Sequence, residues 1–223
     1  MTGLLALVGG DEWTEGCTFD AALVESAGDG PVVVLTTAAA YENPARLLGR
    51  AQAWFAGFGV DVVDGGVLTR RDGFDEAAVD RVRNAGFVYL SGGSPMHLRS
   101  VLKSSPLFDA LLDAWRGGAV LAGSGAGADV FCDPMVDPRG GAFTVGLGVL
   151  PQVAVIPRVD QWSAEKIHRT VALAAPELVV VGVPRRTAVI RGVDGDWRAD
   201  GAGEVRVYRG GREVGLDALA AQA

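Results

Sequence analysis

The chain has 223 residues, 49% of them hydrophobic and 21% charged, so it is long and apolar enough to bury a large core. Acidic residues outnumber basic ones by 27 to 20, and the net charge of −7 argues against a general binder of nucleic acids or anionic membranes. The two cysteines, Cys17 and Cys132, are too few for a disulfide framework, and residues 1–10 lack the basic start of a signal peptide. A cytoplasmic location is therefore expected.

Apolar runs and helical patterns alternate along the first half of the chain. Runs of apolar or β-branched residues predict the strands Leu4–Val8, Pro31–Thr36, Val60–Val63, Phe87–Leu90 and Ala119–Leu121. Apolar residues at helical spacing predict the helices Thr18–Ser26, Pro44–Gly57, Asp75–Asn84, Pro95–Lys103 and Pro106–Arg116. This alternation predicts a parallel sheet covered by helices on both faces.

The pattern changes in the second half of the chain. It predicts strands at Phe143–Val149 and Val153–Ile156, a helix at Ala164–Ala174, and a hairpin-like pair at Leu178–Val183 and Thr187–Ile190. Two further short strands, Glu204–Tyr208 and Glu213–Val214, flank a Gly210-Gly211 hairpin turn. Because no linker or repeat interrupts the chain, we expect one α/β domain over residues 1–223 with an antiparallel C-terminal hairpin.

Four turns follow predicted parallel strands and are expected to border a functional site. They are Gly9-Gly10, Thr36–Ala40, Ser91–Ser94 and Gly123–Ala128. Ligands of such sheets bind beyond the carboxyl ends of the strands. No spacing typical of a dinucleotide loop or a P-loop occurs, so no cofactor is expected.

The turn after the fifth predicted strand has the form that hydrolases use for a nucleophile, in the pattern G-x-nucleophile-x-G. In the segment Gly123–Gly127, the central position is Gly125, which has no side chain, and Ser124 lies one residue early. One residue is enough to redirect a side chain in a tight turn. Spacing alone therefore favours a glycine-rich turn without chemistry.

Two turns in order carry a resemblance to a known family. Leu90–Leu98 contains Gly92-Gly93, and Gly123–Ala128 follows about thirty residues later. Together they resemble the dipeptidase E and cyanophycinase family of serine peptidases, over roughly residues 4–192. The resemblance implies a three-layer, flavodoxin-like fold of the class I glutamine amidotransferase type, with a mostly parallel sheet between helices. It also implies a homodimer and a site bordered by Gly92, Gly93, Gly125 and Ala126.

The same family has a nucleophile in G-x-S-A-G-A, a base in D-Q-H-F and an acid in G-I-x-E-x-T-A. The resemblance puts Gly125 at the nucleophile position and Trp162 at the base position. Arg185, or Pro184 in another alignment, replaces the acid. Glycine has no nucleophilic group, indole accepts no proton, and arginine accepts no hydrogen bond.

These three losses favour a non-hydrolytic homologue that acts by binding a small-molecule or peptide ligand or a partner. Asp160 and Gln161 keep the family identity, and with Trp162 they are candidates for a pocket wall. An Arg185 that faces the pocket would favour an anionic or carboxylate ligand, whereas an outward-facing one is an ordinary solvated arginine.

The alternative function is an active hydrolase of small or aspartate-containing peptides, with Ser124 as a displaced nucleophile. Such a serine needs a base within about 3 Å. The only histidines, His97 and His168, are more simply surface or helix-capping residues, and Cys132 is more simply a buried helix residue. No histidine–carboxylate cluster predicts a metal site. An enzyme with a different nucleophile would rest on fold analogy alone, and a purely structural subunit stays open.

Overall fold

Seven strands form the central sheet of the computed structural model, which describes residues 2–222. The elements up to the fifth strand are β1 (Leu5–Val8), α1 (Phe19–Ala27), β2 (Val32–Leu35), α2 (Pro44–Ala56), β3 (Val62–Asp64), α3 (Glu76–Arg83), β4 (Phe87–Leu90), α4 (Pro95–Leu102), α5 (Pro106–Arg116) and β5 (Val120–Ser124). The elements after it are α6 (Ala126–Phe131), β6 (Cys132–Asp133), β7 (Met135–Val136), β8 (Phe143–Thr144), β9 (Leu150–Pro151), β10 (Val153–Pro157), α7 (Ala164–Leu173), β11 (Val179–Val183), β12 (Thr187–Arg191), β13 (Trp197–Gly201), β14 (Arg206–Arg209) and β15 (Arg212–Val214). None of the helices within residues 2–222 is long and apolar enough to cross a membrane.

The strand order of the central sheet is β13-β12-β1-β5-β4-β2-β3. The five strands from β1 to β3 in this order run parallel, whereas β12 and β13 add an antiparallel edge. In the register of the sheet, Val8 lies beside Ser124 and Leu90 beside Gly123. The turns that follow β1, β4 and β5 therefore meet at one edge, and the predicted mostly parallel α/β sheet is confirmed.

Helices cover both faces of this sheet, as predicted. On one face, α1 and α2 bury Phe19, Leu23 and Phe55 against alternate strand residues such as Tyr89. On the other face, helices α3 to α6 pack on the alternate strand residues that point the opposite way. Each fully buried large side chain contributes about 1.5–3 kcal/mol.

Side-chain caps set where several helices begin. Each capping side chain accepts a hydrogen bond from the backbone N–H three residues later, and the capping residues are Asn43, Asp75, Ser94, Ser105 and Ser163. Proline follows three of them at the first helical position, where its missing N–H costs nothing. The Ser94 cap starts α4 directly after Gly92-Gly93 and so fixes that turn.

A second sheet has the order β10-β11-β14-β15, and two predictions from the sequence are wrong. The segments Leu178–Val183 and Thr187–Ile190 do not pair, because β11 pairs with β10 and β12 pairs with β1. Only two residues of Phe143–Val149 form a strand, β8, which pairs with β7. The Gly210-Gly211 hairpin is confirmed by the antiparallel pairing of β14 with β15.

Helix α6 lies so close to the central sheet that two positions at their contact, Gly127 in the helix and Gly123 in β5, require glycine. A Cβ added to Gly127 would lie 2.6 Å from the Leu90 carbonyl oxygen, and one on Gly123 would lie 2.5 Å from the Gly127 carbonyl carbon. Both distances are below van der Waals contact, so the backbone itself blocks a side chain. These glycines let the strand and the helix approach each other behind the turn.

We expect Gly127→Ala to lower the free energy of unfolding by about 1–3 kcal/mol, because the new methyl group displaces backbone. Urea unfolding measures this change. The matched control is Gly49→Ala, on the exposed face of α2, where a Cβ would meet nothing within 4 Å. That substitution should raise the free energy of unfolding by up to about 1 kcal/mol. A Gly127→Ala protein as stable as the wild type would contradict the close packing.

Candidate functional site

A cavity of about 700 Å³ opens where the parallel strands of the central sheet end. Residues from all four turns singled out in the sequence line it, including Gly10, Ala39, Gly93 and Gly125. The predicted meeting of these turns is confirmed. Of the candidate binding residues, those in the lining are Gly92, Gly93, Gly125, Ala126, Gln161 and Trp162.

Gly125 forms the elbow between β5 and α6, with φ 51° and ψ −105°. L-residues adopt this conformation only under strain, and a strained strand-to-helix turn is how hydrolases raise a nucleophile above the sheet. A Cβ on Gly125 would meet only the Gly92 Cα, at 3.7 Å, within a 4 Å radius. Unlike Gly123 and Gly127, this glycine is not required by packing. The elbow therefore has the geometry for a side chain facing the cavity and carries none.

Ser124 points below the cavity rather than into it. Its side chain is 0% exposed, and its Oγ donates a hydrogen bond of 2.7 Å to Glu12 Oε2. Glu12 Oε1 accepts the backbone N–H of Gly92 at 2.9 Å. One carboxylate thus joins the turns after β1, β4 and β5. A serine in this position is out of reach of a ligand in the cavity, which argues against a displaced nucleophile.

Sequence reasoning missed Glu12, which is 5% exposed although it is an acid. The available signal was its place directly after β1, at the edge where the strand ends meet. Both neighbours, Asp11 and Trp13, have a left-handed backbone, with φ of 54° and 58°. Non-glycine residues rarely adopt this conformation, so the loop is shaped to aim the Glu12 side chain inward.

Trp162, at the base position, lines the cavity as a cation-binding ring. The Lys166 Nζ lies 3.5 Å from the ring centroid and donates to the Pro138 carbonyl oxygen at 2.6 Å. Partial burial lowers the pKa of Lys166, and the nearby charge of Arg169 adds to this effect. This part of the lining therefore presents a positive charge to the cavity.

Arg185, at the acid position, neither faces the cavity nor extends freely into solvent. Its Nε donates to Asp160 Oδ2 at 2.7 Å, its backbone N–H to Asp160 Oδ1 at 2.9 Å, and its Nη1 lies 3.4 Å from Asp11 Oδ2. Although partial burial acts in the opposite direction, the bonds from Arg185 lower the pKa of Asp160. Asp11 also pairs with Arg158 at 3.0 Å. Asp160 and Arg185 thus belong to an ion-pair ladder beside the cavity lining.

The histidines and Cys132 lie outside the cavity lining. The His97 Nε2 is 2.8 Å from the Leu68 carbonyl oxygen, and His168 is exposed on α7. Cys132 is fully buried, and that burial raises the pKa of its thiol well above the ordinary value. A thiol held protonated and enclosed is not a nucleophile. Within residues 2–222, no three His, Cys, Asp or Glu side chains come together as a metal site.

Asp129, on α6, is a buried carboxyl group of the cavity that the sequence did not reveal. It is 2% exposed, lines the cavity, and its Oδ1 accepts the Val136 backbone N–H at 2.9 Å. Burial raises the pKa of Asp129 well above its ordinary value, although the bond from Val136 lowers it in part. Burial therefore favours the protonated form of this carboxyl group, which is the form that can donate a hydrogen bond.

A second buried acid, Asp20 of α1, lies behind Glu12. Its Oδ2 accepts the Trp54 indole N–H at 2.9 Å. The pKa of Asp20 is raised to about 7. Burial is the main cause and the charge of Glu12 adds to it, although the hydrogen bond from Trp54 acts in the opposite direction. The group is therefore half-ionised near neutral pH.

A sharp strand-to-helix elbow at the strand ends of a mostly parallel α/β sheet is the turn on which hydrolases carry a nucleophile, and here the elbow residue is a glycine without a side chain. The chain belongs to peptidase family S51, whose family model matches residues 7–189. The resemblance found in the sequence is confirmed.

Known relatives agree with this assignment. A cyanophycinase from Synechococcus elongatus is 27% identical over 150 residues, which are 62% of this chain and 46% of that protein. The chain thus matches about half the length of this relative. A cyanophycinase from Nostoc sp. is 25% identical over 219 residues, which are 92% of this chain and 73% of that protein.

Solved structures show the same fold. A peptidase from an acI-B1 Actinobacterium superimposes with a TM-score of 0.84 at 27% identity, covering 96% of this chain and 93% of that one. A putative peptidase E protein from Listeria monocytogenes EGD-e gives a TM-score of 0.63 at 13% identity, over 94% and 99% of the two chains. The second likeness is one of fold alone.

The pKa of Asp20 predicts how stability depends on pH. An acid whose pKa is about 7 when folded and 3.8 when unfolded binds its proton more tightly in the folded state. Its contribution is complete below about pH 4 and is lost as the pH rises through 7, by at most about 4 kcal/mol. Urea unfolding from pH 4 to 8 should show a steeper loss of stability in the wild type than in Asp20→Asn. Parallel profiles would contradict the prediction.

Proposed function

We propose that this chain binds a small carboxylate-bearing molecule in the cavity and does not hydrolyse it. The observation that carries the proposal is the elbow, where Gly125 faces the cavity without a side chain while Ser124 is bonded to Glu12 beneath it. Loss of a nucleophile removes covalent chemistry but leaves the binding surface intact.

The charges around the cavity favour an anion over a cation. Its acidic lining residues are Asp11, Glu12, Glu42 and Asp129, and its basic ones are Arg46, Arg50, Arg158 and Lys166. Three of the acids are already occupied. Asp11 pairs with arginines, both Glu12 oxygens accept hydrogen bonds, and burial raises the pKa of Asp129 and so disfavours its charged form.

Three basic residues of the lining keep charge for a ligand. Arg46, Arg50 and Lys166 form no ion pair with any residue between 2 and 222, although Arg50 and Lys166 each donate one hydrogen bond to a backbone carbonyl oxygen. Arg46 and Arg50 lie one turn apart on α2, and Lys166 lies on α7. A carboxylate matches this arrangement, because guanidinium groups bind carboxylates through paired, charge-assisted hydrogen bonds. Burial favours the protonated form of Asp129, which would supply a further donor.

A hydrolase on this scaffold would also need a proton acceptor and an orienting acid. Trp162 and Arg185 supply neither group. Neither histidine is among the residues that line the cavity. Non-covalent binding is thus the function that the remaining groups can perform.

The absence of an activated serine is testable by intact mass after treatment with a fluorophosphonate serine-hydrolase probe. We expect no adduct on the wild type, because Ser124 is enclosed and its hydroxyl is already bonded to Glu12. Gly125→Ser should fit sterically and still fail to hydrolyse aspartyl dipeptides, because the base and acid are missing. An adduct that disappears in Ser124→Ala would instead establish the alternative, an active hydrolase with a displaced serine.

Ligand class is testable by NMR titration of the labelled protein with succinate and, as the neutral counterpart, succinamide. We expect succinate alone to shift the amide signals of Gly93 and Ala126. Arg46→Gln should weaken its binding about tenfold or more, as for loss of one charge-assisted hydrogen bond. Arg116→Gln, which removes a charge from α5 outside the cavity lining, should leave it unchanged. Equal shifts with succinamide, or none with succinate, would refute the proposed ligand class.

A further inference from the structure

Three polar side-chain atoms are buried together between the central sheet and helices α1 and α2, without a hydrogen-bond partner among the described residues. They are Trp13 Nε1, Asp20 Oδ1 and Tyr89 Oη. A buried polar atom without a partner costs stability, and native proteins contain few of them. Three in one layer of one domain call for a common explanation.

The three groups are neighbours of one another. The rings of Trp13 and Tyr89 lie 5.1 Å apart, centroid to centroid. Burial raises the pKa of Tyr89, and the charges of Asp20 and Glu12 are close enough to raise it further. A fourth unpartnered atom, the indole nitrogen of Trp197, lies on β13 and is separate from this group.

Among the described residues, no donor or acceptor is placed to bond these three atoms. The same layer is filled by apolar groups, including Phe19, Phe55 and Phe87. The Trp54 indole N–H already donates to the other Asp20 oxygen, and the Cys17 thiol lies 3.6 Å from the Asp11 carbonyl oxygen. A partner for the three atoms must therefore come from outside the chain.

The three side chains come from separate elements. Trp13 follows β1 and has φ 58°, a left-handed conformation that bulky residues seldom adopt. Asp20 is buried on α1, and Tyr89 is buried on β4, deep in the sheet. Three separate elements thus place polar groups in the same apolar layer.

We infer that Trp13, Asp20 and Tyr89 bind an internal water molecule beneath the cavity floor, next to Glu12. Water fits because it offers two donors and two acceptors. Its oxygen accepts the indole N–H of Trp13 and the hydroxyl of Tyr89, and one of its protons goes to Asp20 Oδ1. Buried waters make about three hydrogen bonds to polar groups that the protein leaves unpaired.

The bound water gives Asp20 a positioning role at the cavity floor. Glu12 holds Gly92 and Ser124, and a full negative charge on Asp20 would repel the Glu12 carboxylate. A water that satisfies Asp20 Oδ1 keeps that acid in place beside Trp54. The inference concerns the interior of the protein and stands whether or not the cavity binds a carboxylate.

The water is tested by NMR, through magnetisation transfer between water and the indole N–H protons. Trp13→Phe assigns the Trp13 signal. We expect a cross-peak between the Trp13 indole proton and a long-lived water. The matched control is Trp115, a buried indole whose N–H donates to the Gly3 carbonyl oxygen at 2.9 Å and should show none. If the Trp13 indole proton, like that of Trp115, shows no cross-peak with water, the inference is wrong.

A substitution tests the hydroxyl of Tyr89 separately. If the hydroxyl binds a water, Tyr89→Phe should lower the melting temperature and weaken the Trp13 cross-peak. If the hydroxyl has no partner, removing it should raise the melting temperature, which would count against the water. Tyr208→Phe, at the half-buried tyrosine of β14, serves as the control and should change neither quantity.

Discussion

The carboxylate of Glu12 is the contact that joins the turns along the cavity edge of the central sheet. It reaches from the turn after β1 to the Gly92 N–H after β4 and the Ser124 hydroxyl at the end of β5. Backbone hydrogen bonds hold these strands side by side, but such bonds stop where the strands end. The hydrogen bonds to Glu12 connect the turns beyond that point. The Gly125 elbow keeps its conformation above this support.

The charged groups of the site lie along the same edge of the sheet. Glu12 is bonded to backbone and hydroxyl groups, Asp11 is paired with arginine, and Asp129 is buried. Four basic and four acidic residues line the cavity, whereas the chain as a whole carries a net charge of −7. Exposed pairs such as Arg158–Asp11 contribute little stability in water, so their effect is on shape and charge.

Local sequence patterns were sufficient for the elements that create the site. β2 and β4 are continuous apolar runs between turn residues, and the Gly92-Gly93 turn occupies its predicted place. What failed were long-range pairings. β11 and β12 look like a hairpin because three residues separate them, yet each finds a better partner elsewhere in the chain.

Sequence reasoning also failed to show which acidic side chains are buried. Glu12 and Asp129 look like ordinary surface acids in the sequence. In the structure Glu12 accepts the backbone N–H of Gly92, 80 positions away, and Asp129 accepts that of Val136 on β7. Arg185 was expected either in the pocket or in solvent. Its actual partners, Asp160 and Asp11, become neighbours only when the second sheet docks beside β1. A pairing between residues 174 positions apart leaves no local trace.

The elbow conformation also bears on how such a scaffold changes over evolutionary time. With φ 51° and ψ −105°, position 125 penalises every residue that has a side chain, whatever chemistry that side chain performs. A peptidase on this scaffold bears that penalty for the sake of its reaction, whereas glycine is free of it. Selection for stability alone therefore drives this position towards glycine once hydrolysis is no longer required. The neighbouring glycines, fixed by packing, keep the architecture recognisable afterwards.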